Sequence, residues 1–271
     1  MQIKYIIVLL IIILLFFTSV NSINKVEGMS NYMPPINIFI LCFNEEVLLP
    51  HTIEHYKRNL PSCQITIYDN ESTDNSTQIA KDLGCDVISW SSNNMIDDHK
   101  YIEIKNNCWK KVNNGWILMI DMDEWVNVTE EDLQDELENG TTILNSKGYN
   151  MIGESKNEEL SDINLHQINK GVEHDMESKK LCFLRNAVTD MNYSPGAHIC
   201  DPKGDIKYSE KVYINKHMSS LGLPFLITKM RNRYERAKEM QKQGYATHYT
   251  DNADIITSEY NDALQNSNII F

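Results

Sequence analysis

Apolar side chains gather in short runs along the chain, separated by polar segments with helical spacing. Residues 36–43 (INIFILCF) form an apolar run of strand length, the pattern of a strand covered on both faces, as in a parallel sheet. Residues 45–59 carry Val47, Leu48, Ile53 and Tyr56 at helix-like intervals, and Pro61 ends that helix. A second strand is expected at 64–68 (QITIY), a helix at 72–83 with Ser72 or Thr73 as its cap and Gly84 as its stop, and a third strand at 86–90 (DVISW). Strands alternating with helices in this way imply right-handed crossovers in a doubly wound α/β sheet, whose ligands bind at the carboxyl ends of the strands.

The pattern continues with a helix at 101–111 and, after Gly115, a fourth strand at 116–120 (WILMI). Beyond it the regularity falls. An acidic helix is expected at 130–137, short strands around 148–152, 180–184 and 211–214, and a helix at 224–243 that is rich in Lys and Arg and stops at Gly244. The polar stretch beyond Thr250 reads as an irregular tail.

The first residues read as a targeting segment. Every side chain from Tyr5 to Phe17 is apolar, Lys4 precedes the run, and Val20 and Ser22 stand at cleavage spacing. A signal peptide over 1–22 is expected, followed by a linker over 23–35. The run is shorter than the roughly 20 residues that cross a bilayer comfortably, and extension through Val20 keeps an uncleaved anchor at 5–20 open. Either reading places the protein in the secretory lumen, outside the cell, or on a membrane.

Composition narrows the partners. The 25 Lys and Arg against 38 Asp and Glu give a formal charge of −13, which opposes broad binding to a nucleic-acid backbone. A diphosphate is still admissible where a divalent cation stands between it and the carboxylates. Six cysteines at 42, 63, 85, 108, 182 and 200 include no C-x-x-C pair, which disfavours structural zinc of that type; Cys182 with Cys200 is the first pair expected in an oxidising lumen, while Cys42 and Cys108 read as small buried hydrophobes. Glycosylation sequons fall at Asn70, Asn75, Asn127, Asn139 and Asn192.

The fourth strand runs straight into Asp121-Met122-Asp123-Glu124-Trp125. Like charges so close repel unless a positive charge lies beside them, and a hard divalent cation that keeps positions open for phosphate supplies one. A solvated turn explains the local pattern equally well. The other strand ends shift the balance: Phe43-Asn44-Glu45-Glu46 and Asp69-Asn70-Glu71-Ser72-Thr73-Asp74 converge on the same sheet edge, so the turn explanation must be invoked three times.

These motifs, with Gly196-Ala197-His198 and His217 ahead of Leu221-Gly222, resemble the GT-A glycosyltransferases, family-2-like in particular, over 36–250. The resemblance implies a GT-A type fold, a Rossmann-like, mostly parallel sheet flanked by helices, with a nucleotide-sugar half at 36–125, a less regular acceptor half at 126–250 and a polar tail at 251–271. It places Phe43, Glu45 and Asp69 at the nucleotide base, and Asp121 near the ribose or metal. Asp123 becomes a metal ligand, joined by His217, whose imidazole suits Mn²⁺ better than Mg²⁺. Asp98 and Lys105 are placed near the nucleotide and its diphosphate, although a charged helix start and a solvated lysine explain them as well. Phe43 stands where the family usually has tyrosine, which removes a hydroxyl but keeps the stacking face.

The implied reaction moves a sugar from a nucleoside-diphosphate sugar to a hydroxyl of a glycan, lipid or protein acceptor, with inversion. A general base is then required, and Asp190 and His198 are the candidates. A catalytically inactive sugar- or nucleotide-binding protein on the same fold is the alternative. A nucleotidyltransferase is disfavoured because Asn44-Glu45-Glu46 stands where a Gly-rich phosphate loop belongs.

Overall fold

The computed structural model describes residues 33–270, so the expected signal segment and most of the 23–35 linker lie outside the described residues. Strand β1 (Ile36–Cys42) is covered on both faces, as its apolar run requires, with Ile38 and Ile40 fully buried. It achieves this at the centre of a sheet, pairing in parallel with β2 (Gln64–Asp69) on one side and β4 (Trp116–Asp121) on the other. β3 (Asp86–Ser89) adds in parallel outside β2. Helices α1 (Leu49–Asn59), α2 (Ser76–Asp82) and α3 (Asp98–Asn107) make the crossovers. Trp116 begins β4 against the carbonyl of Pro35, and Gly115 before it is obligatory: its φ is +101°, and a Cβ there would lie 2.1 Å from the Pro35 oxygen.

Two helices start later than their periodicity predicts, for one reason. The loops after β1 and β2 bind each other: the amides of Glu45 and Glu46 donate to the Ser76 hydroxyl and the Asp74 carboxylate, and the Thr73 amide donates to the Asn44 side chain. The amides of Glu45, Glu46, Thr73 and Asn75 are therefore satisfied across the loops, not within a helix. α3 begins earlier than expected because the Asp97 side chain accepts the Lys100 amide as an N-cap, and residues 108–111 close it as a 3₁₀ turn.

The C-terminal half extends the sheet with mixed pairing. β5 (Glu124–Val126) leads to α4 (Glu130–Glu138), whose start carries a capping box between Thr129 and Asp132. β6 (Ile143–Ile152), β7 (Lys170–Glu173) and β8 (Cys182–Leu184) follow; β8 runs antiparallel to both β4 and β6, and β7 antiparallel to β6. β9 (Val188–Asp190) and β10 (Lys203–Gly204) form a separate small ribbon. β11 (Tyr208–Ser220) is a long strand, parallel to β6 and antiparallel to β5, and hands over to α5 (Leu223–Lys242).

The irregular tail expected beyond Thr250 is overturned. Residues Ala253–Asn266 form α6, started by the Asn252 side chain, which accepts the amides of Asp254 and Ile255. The helix is held because Ile256 and Tyr260 are buried and the Tyr260 hydroxyl donates to the Gly153 carbonyl at 2.6 Å; β12 (Asn268–Ile269) then pairs with β7. The expected Cys182–Cys200 disulfide is absent as well, since both thiols are unpaired, with Cys182 buried inside β8. Among the described residues no helix is long and apolar enough to cross a membrane.

Candidate functional site

Asp121 closes β4, and after only two intervening residues β5 opens with Glu124, so the chain makes a tight corner at the carboxyl edge of the sheet. Glu124 folds back over that corner: its carboxylate accepts the Asp121 amide at 2.7 Å and meets Lys179 Nζ at 2.7 Å. Lys179 also pairs with Glu177 at 3.1 Å and faces Asp121 at 3.9 Å, while Lys105, on α3, bonds the Asp121 carboxylate at 2.8 Å. Burial by itself favours the neutral acid at Asp121, but Lys105 and Lys179 outweigh it and hold its pKa below the ordinary value. The Lys105 ammonium is thus committed to Asp121 in this state.

Asp123 sits in a cage of bases. Its Oδ2 lies 2.8 Å from Lys229 Nζ, 3.4 Å from His217 Nε2 and 3.4 Å from Arg233, and the residue is only 3% exposed. Burial again opposes the charge, yet Lys229, His217 and Arg233 keep the carboxyl well below the usual range. β11 delivers His217 through its register with β5, opposite Glu124. The ring's Nδ1 donates to the Asn150 amide oxygen at 2.7 Å, which fixes its orientation and aims Nε2 at Asp123. Burial lowers the imidazole's proton affinity, but Asp123 overrides it and the pKa lies above normal. Lys229 and Arg233 come from α5 at i and i+4, and Arg236 at i+7 extends the same face. Glu45 faces this group; burial raises its pKa, with Lys229 and Arg233 partly offsetting.

The donor atoms at this edge fit a divalent cation in part. Asp123 Oδ2 and His217 Nε2 stand 3.4 Å apart, close to the roughly 3 Å between adjacent ligands of a six-coordinate ion with bonds near 2.1 Å. Asp121 does not face that point, being turned to the two lysines.

On the neighbouring strand, Asp69 is 3% exposed; its Oδ2 accepts the Ser72 amide at 3.1 Å, and its Oδ1 is buried with no partner among the described residues. Such an orphan asks for a ligand donor. Phe43 follows β1, and the Arg236 guanidinium lies 3.3 Å from its ring centroid, covering the face expected to stack on a base. Asn70 is 1% exposed and exchanges hydrogen bonds with Ser92 through both side-chain atoms, so its sequon is closed to a glycan in the folded chain. Asp98, at the start of α3, is half-buried, which raises its pKa, and it faces His248 and His99.

The two expected bases are placed differently. The Asp190 carboxylate pairs with Lys110 and with none of the residues gathered around Asp123. His198 Nδ1 donates to the Met176 carbonyl at 2.7 Å, and burial followed by nearby Lys179 lowers its pKa. Gly196, two residues earlier, has φ +77°, and a Cβ there would lie 2.5 Å from the His198 ring. Sequence reasoning missed Lys179, Glu177, Lys229 and Arg233. For the last two a signal existed in the 229–233–236 spacing of bases along one helix face; Glu177 and Lys179 lie in a segment without periodicity.

Residues 37–170 match the family model described as Glycosyl transferase family 2. Among curated proteins, an uncharacterized glycosyltransferase, RT0209, of Rickettsia typhi is 28% identical over 225 residues, which cover 78% of this chain and 70% of that protein. Protein RfbJ of Shigella flexneri is 39% identical over 54 residues, 20% of this chain and 42% of its own length. The chain therefore spans less than half of RfbJ and somewhat over two thirds of the rickettsial protein. Among solved structures, S. aureus TarS 1–349 in complex with UDP-GlcNAc shares 16% identity over 74% of this chain and 66% of that chain, with a TM-score of 0.39. Glucosyl-3-phosphoglycerate synthase of Mycobacterium tuberculosis, in complex with Mn²⁺, UDP and glucosyl-3-phosphoglycerate, shares 16% over 42% of this chain and 44% of its own, with a TM-score of 0.31. The parallel β3-β2-β1-β4 core and the acidic corner after β4 both lie within residues 37–170, the stretch by which the chain resembles family-2 glycosyltransferases.

Proposed function

We propose that the chain moves a sugar from a nucleoside-diphosphate sugar to an acceptor hydroxyl, with inversion, using Mn²⁺ or Mg²⁺ held by Asp123 and His217. The observation that carries this reading is the convergence at one sheet edge of the Asp123–His217 pair, 3.4 Å apart, with Lys229 and Arg233 on the same carboxylate. Held there, the cation would supply positive charge to the leaving diphosphate. Lys229 and Arg233 bring two further charges to the same place, and Lys229 competes with a cation for Asp123 Oδ2. The unpaired Asp69 Oδ1 accepts an N–H of the base, and Phe43 offers its face once Arg236 moves off it. Of the two expected bases, the proposal assigns the role to His198. Its Nδ1 carries the proton given to Met176, which leaves the Nε2 lone pair to take the acceptor's proton. The acceptor is a glycan, lipid or protein hydroxyl, and residues 5–20 deliver the chain to the secretory lumen or hold it at the membrane.

The test is a reaction of the chain with a panel of nucleotide sugars, with Mn²⁺ or with EDTA, followed by mass spectrometry of released nucleoside diphosphate and of product. Mn²⁺-dependent release that disappears in Asp123→Ala is expected. Binding without turnover under every condition would replace the proposal with an inactive nucleotide-binding relative.

A further inference from the structure

We infer that the chain carries a second metal site, for a late first-row divalent cation such as Zn²⁺, made by His51, Glu54 and His166. His51 and Glu54 are three residues apart on α1 and therefore share a helix face. His166 comes from the 3₁₀ turn Leu165–Gln167, where the Asn164 side chain accepts its amide at 3.0 Å. One ligand atom from each of the three lies within 4.8 Å of the others, and His166 Nε2 is 3.3 Å from Glu54 Oε2. A tetrahedral ion with bonds near 2.1 Å sets its ligand atoms roughly 3.4 Å apart, so the second pair already has the spacing and His51 closes by side-chain rotation. Two imidazoles and one carboxylate are a donor set for zinc and its neighbours, not for Mg²⁺ or Ca²⁺.

The supporting groups are in place. Arg58 holds the other oxygen of Glu54, which leaves Oε2 toward His166. The His166 ring packs against Trp125, with centroids 5.1 Å apart, and that indole is itself fixed by a 2.9 Å bond from its Nε1 to the Thr52 hydroxyl and by His55 stacked at 4.9 Å. Despite the approach of Glu54, His166 Nε2 is not aligned for a hydrogen bond, and it is buried with no hydrogen-bond partner among the described residues. A metal ion supplies the missing partner. The site is distinct from the one at Asp123. His166 lines a cleft of about 340 Å³ together with Lys216, whereas His217, the next residue of β11, points to the other face of that strand and meets Asp123. A bound ion would fasten the segment after β6 onto α1.

Titration of the metal-free full chain with Co²⁺, read by visible absorption and then displaced with Zn²⁺, tests the assignment. One high-affinity ion per chain with a ligand-field band is expected. The band should disappear in His51→Ala and His166→Ala, the affinity should fall at least about tenfold in Glu54→Ala, and Asp123→Ala should leave both unchanged. Glu54 is half-exposed, so its variant decides the matter if His166→Ala fails to fold. Absence of a band in the wild type, an affinity that Glu54→Ala does not alter, or loss of the band in Asp123→Ala would overturn the inference.

Discussion

Replacing Asp69 with Asn changes one buried atom and bears directly on nucleotide recognition. The Ser72 amide donates to Asp69 Oδ2 at 3.1 Å, so the single oxygen of an asparagine is claimed by Ser72 and its NH₂ takes the place of the unpaired Oδ1. A donor would then confront the base's own N–H. The charge-assisted hydrogen bond lost is worth about 1.5–3 kcal/mol, or roughly a 10- to 150-fold rise in Kd. Isothermal titration of the nucleoside diphosphate released in the nucleotide-sugar panel into wild type and Asp69→Asn measures this, and urea denaturation should show the variant folded, with stability within about 1 kcal/mol, because the Ser72 bond and the side-chain volume persist. A Kd unchanged within a factor of about three in a folded variant would remove Asp69 from the base pocket and refute the reasoning from its orphaned oxygen.

Lys229→Met leaves Asp123 with only Arg233 and His217; breaking one contact of so buried a charge should destabilise the fold by about 2 kcal/mol, and an unchanged urea midpoint would show that Lys229 is solvated in solution. Gly196→Ala drives a methyl into the His198 ring at 2.5 Å and should abolish transfer while nucleoside-diphosphate binding stays intact; full turnover would discard His198 as the base. His55, buried under Trp125, has its pKa pushed down to about 4 from 6.5 by burial. Its unfolded form takes up the proton first, so its contribution is complete above pH 6.5 and is lost as pH falls toward about 4, by up to about 3 kcal/mol. His55→Gln keeps the donor to Val126 and should flatten that part of the wild-type stability profile; identical profiles would contradict the shift.

The parallel core was legible because β1, β2 and β4 are buried on both faces and so consist of apolar runs, with helical periodicity between them. Helix starts were less so: 45–48 and 72–75 have helical composition, but the amides of Glu45, Glu46, Thr73 and Asn75 are spent between the loops. α6 was missed because its docking rests on two buried side chains, Ile256 and Tyr260, in a polar stretch. At the site, the acids announced themselves at strand ends, whereas their partners did not. Lys179 is about 4% exposed and pairs with its near neighbour Glu177, but it is placed against Asp121 and Glu124 by contacts of long sequence separation that no local pattern encodes.

In the proposed reaction Asp123 and His217 jointly hold a cation against a diphosphate. Calorimetric titration of the nucleoside diphosphate released in the nucleotide-sugar panel into the full chain, with Mn²⁺ and with EDTA, for wild type, Asp123→Ala and His217→Ala, tests it most directly. Binding that Mn²⁺ strengthens at least about tenfold in the wild type, and that neither variant shows, is the expected result. Equal affinity with and without Mn²⁺, or an Mn²⁺ effect that survives both substitutions, would contradict it.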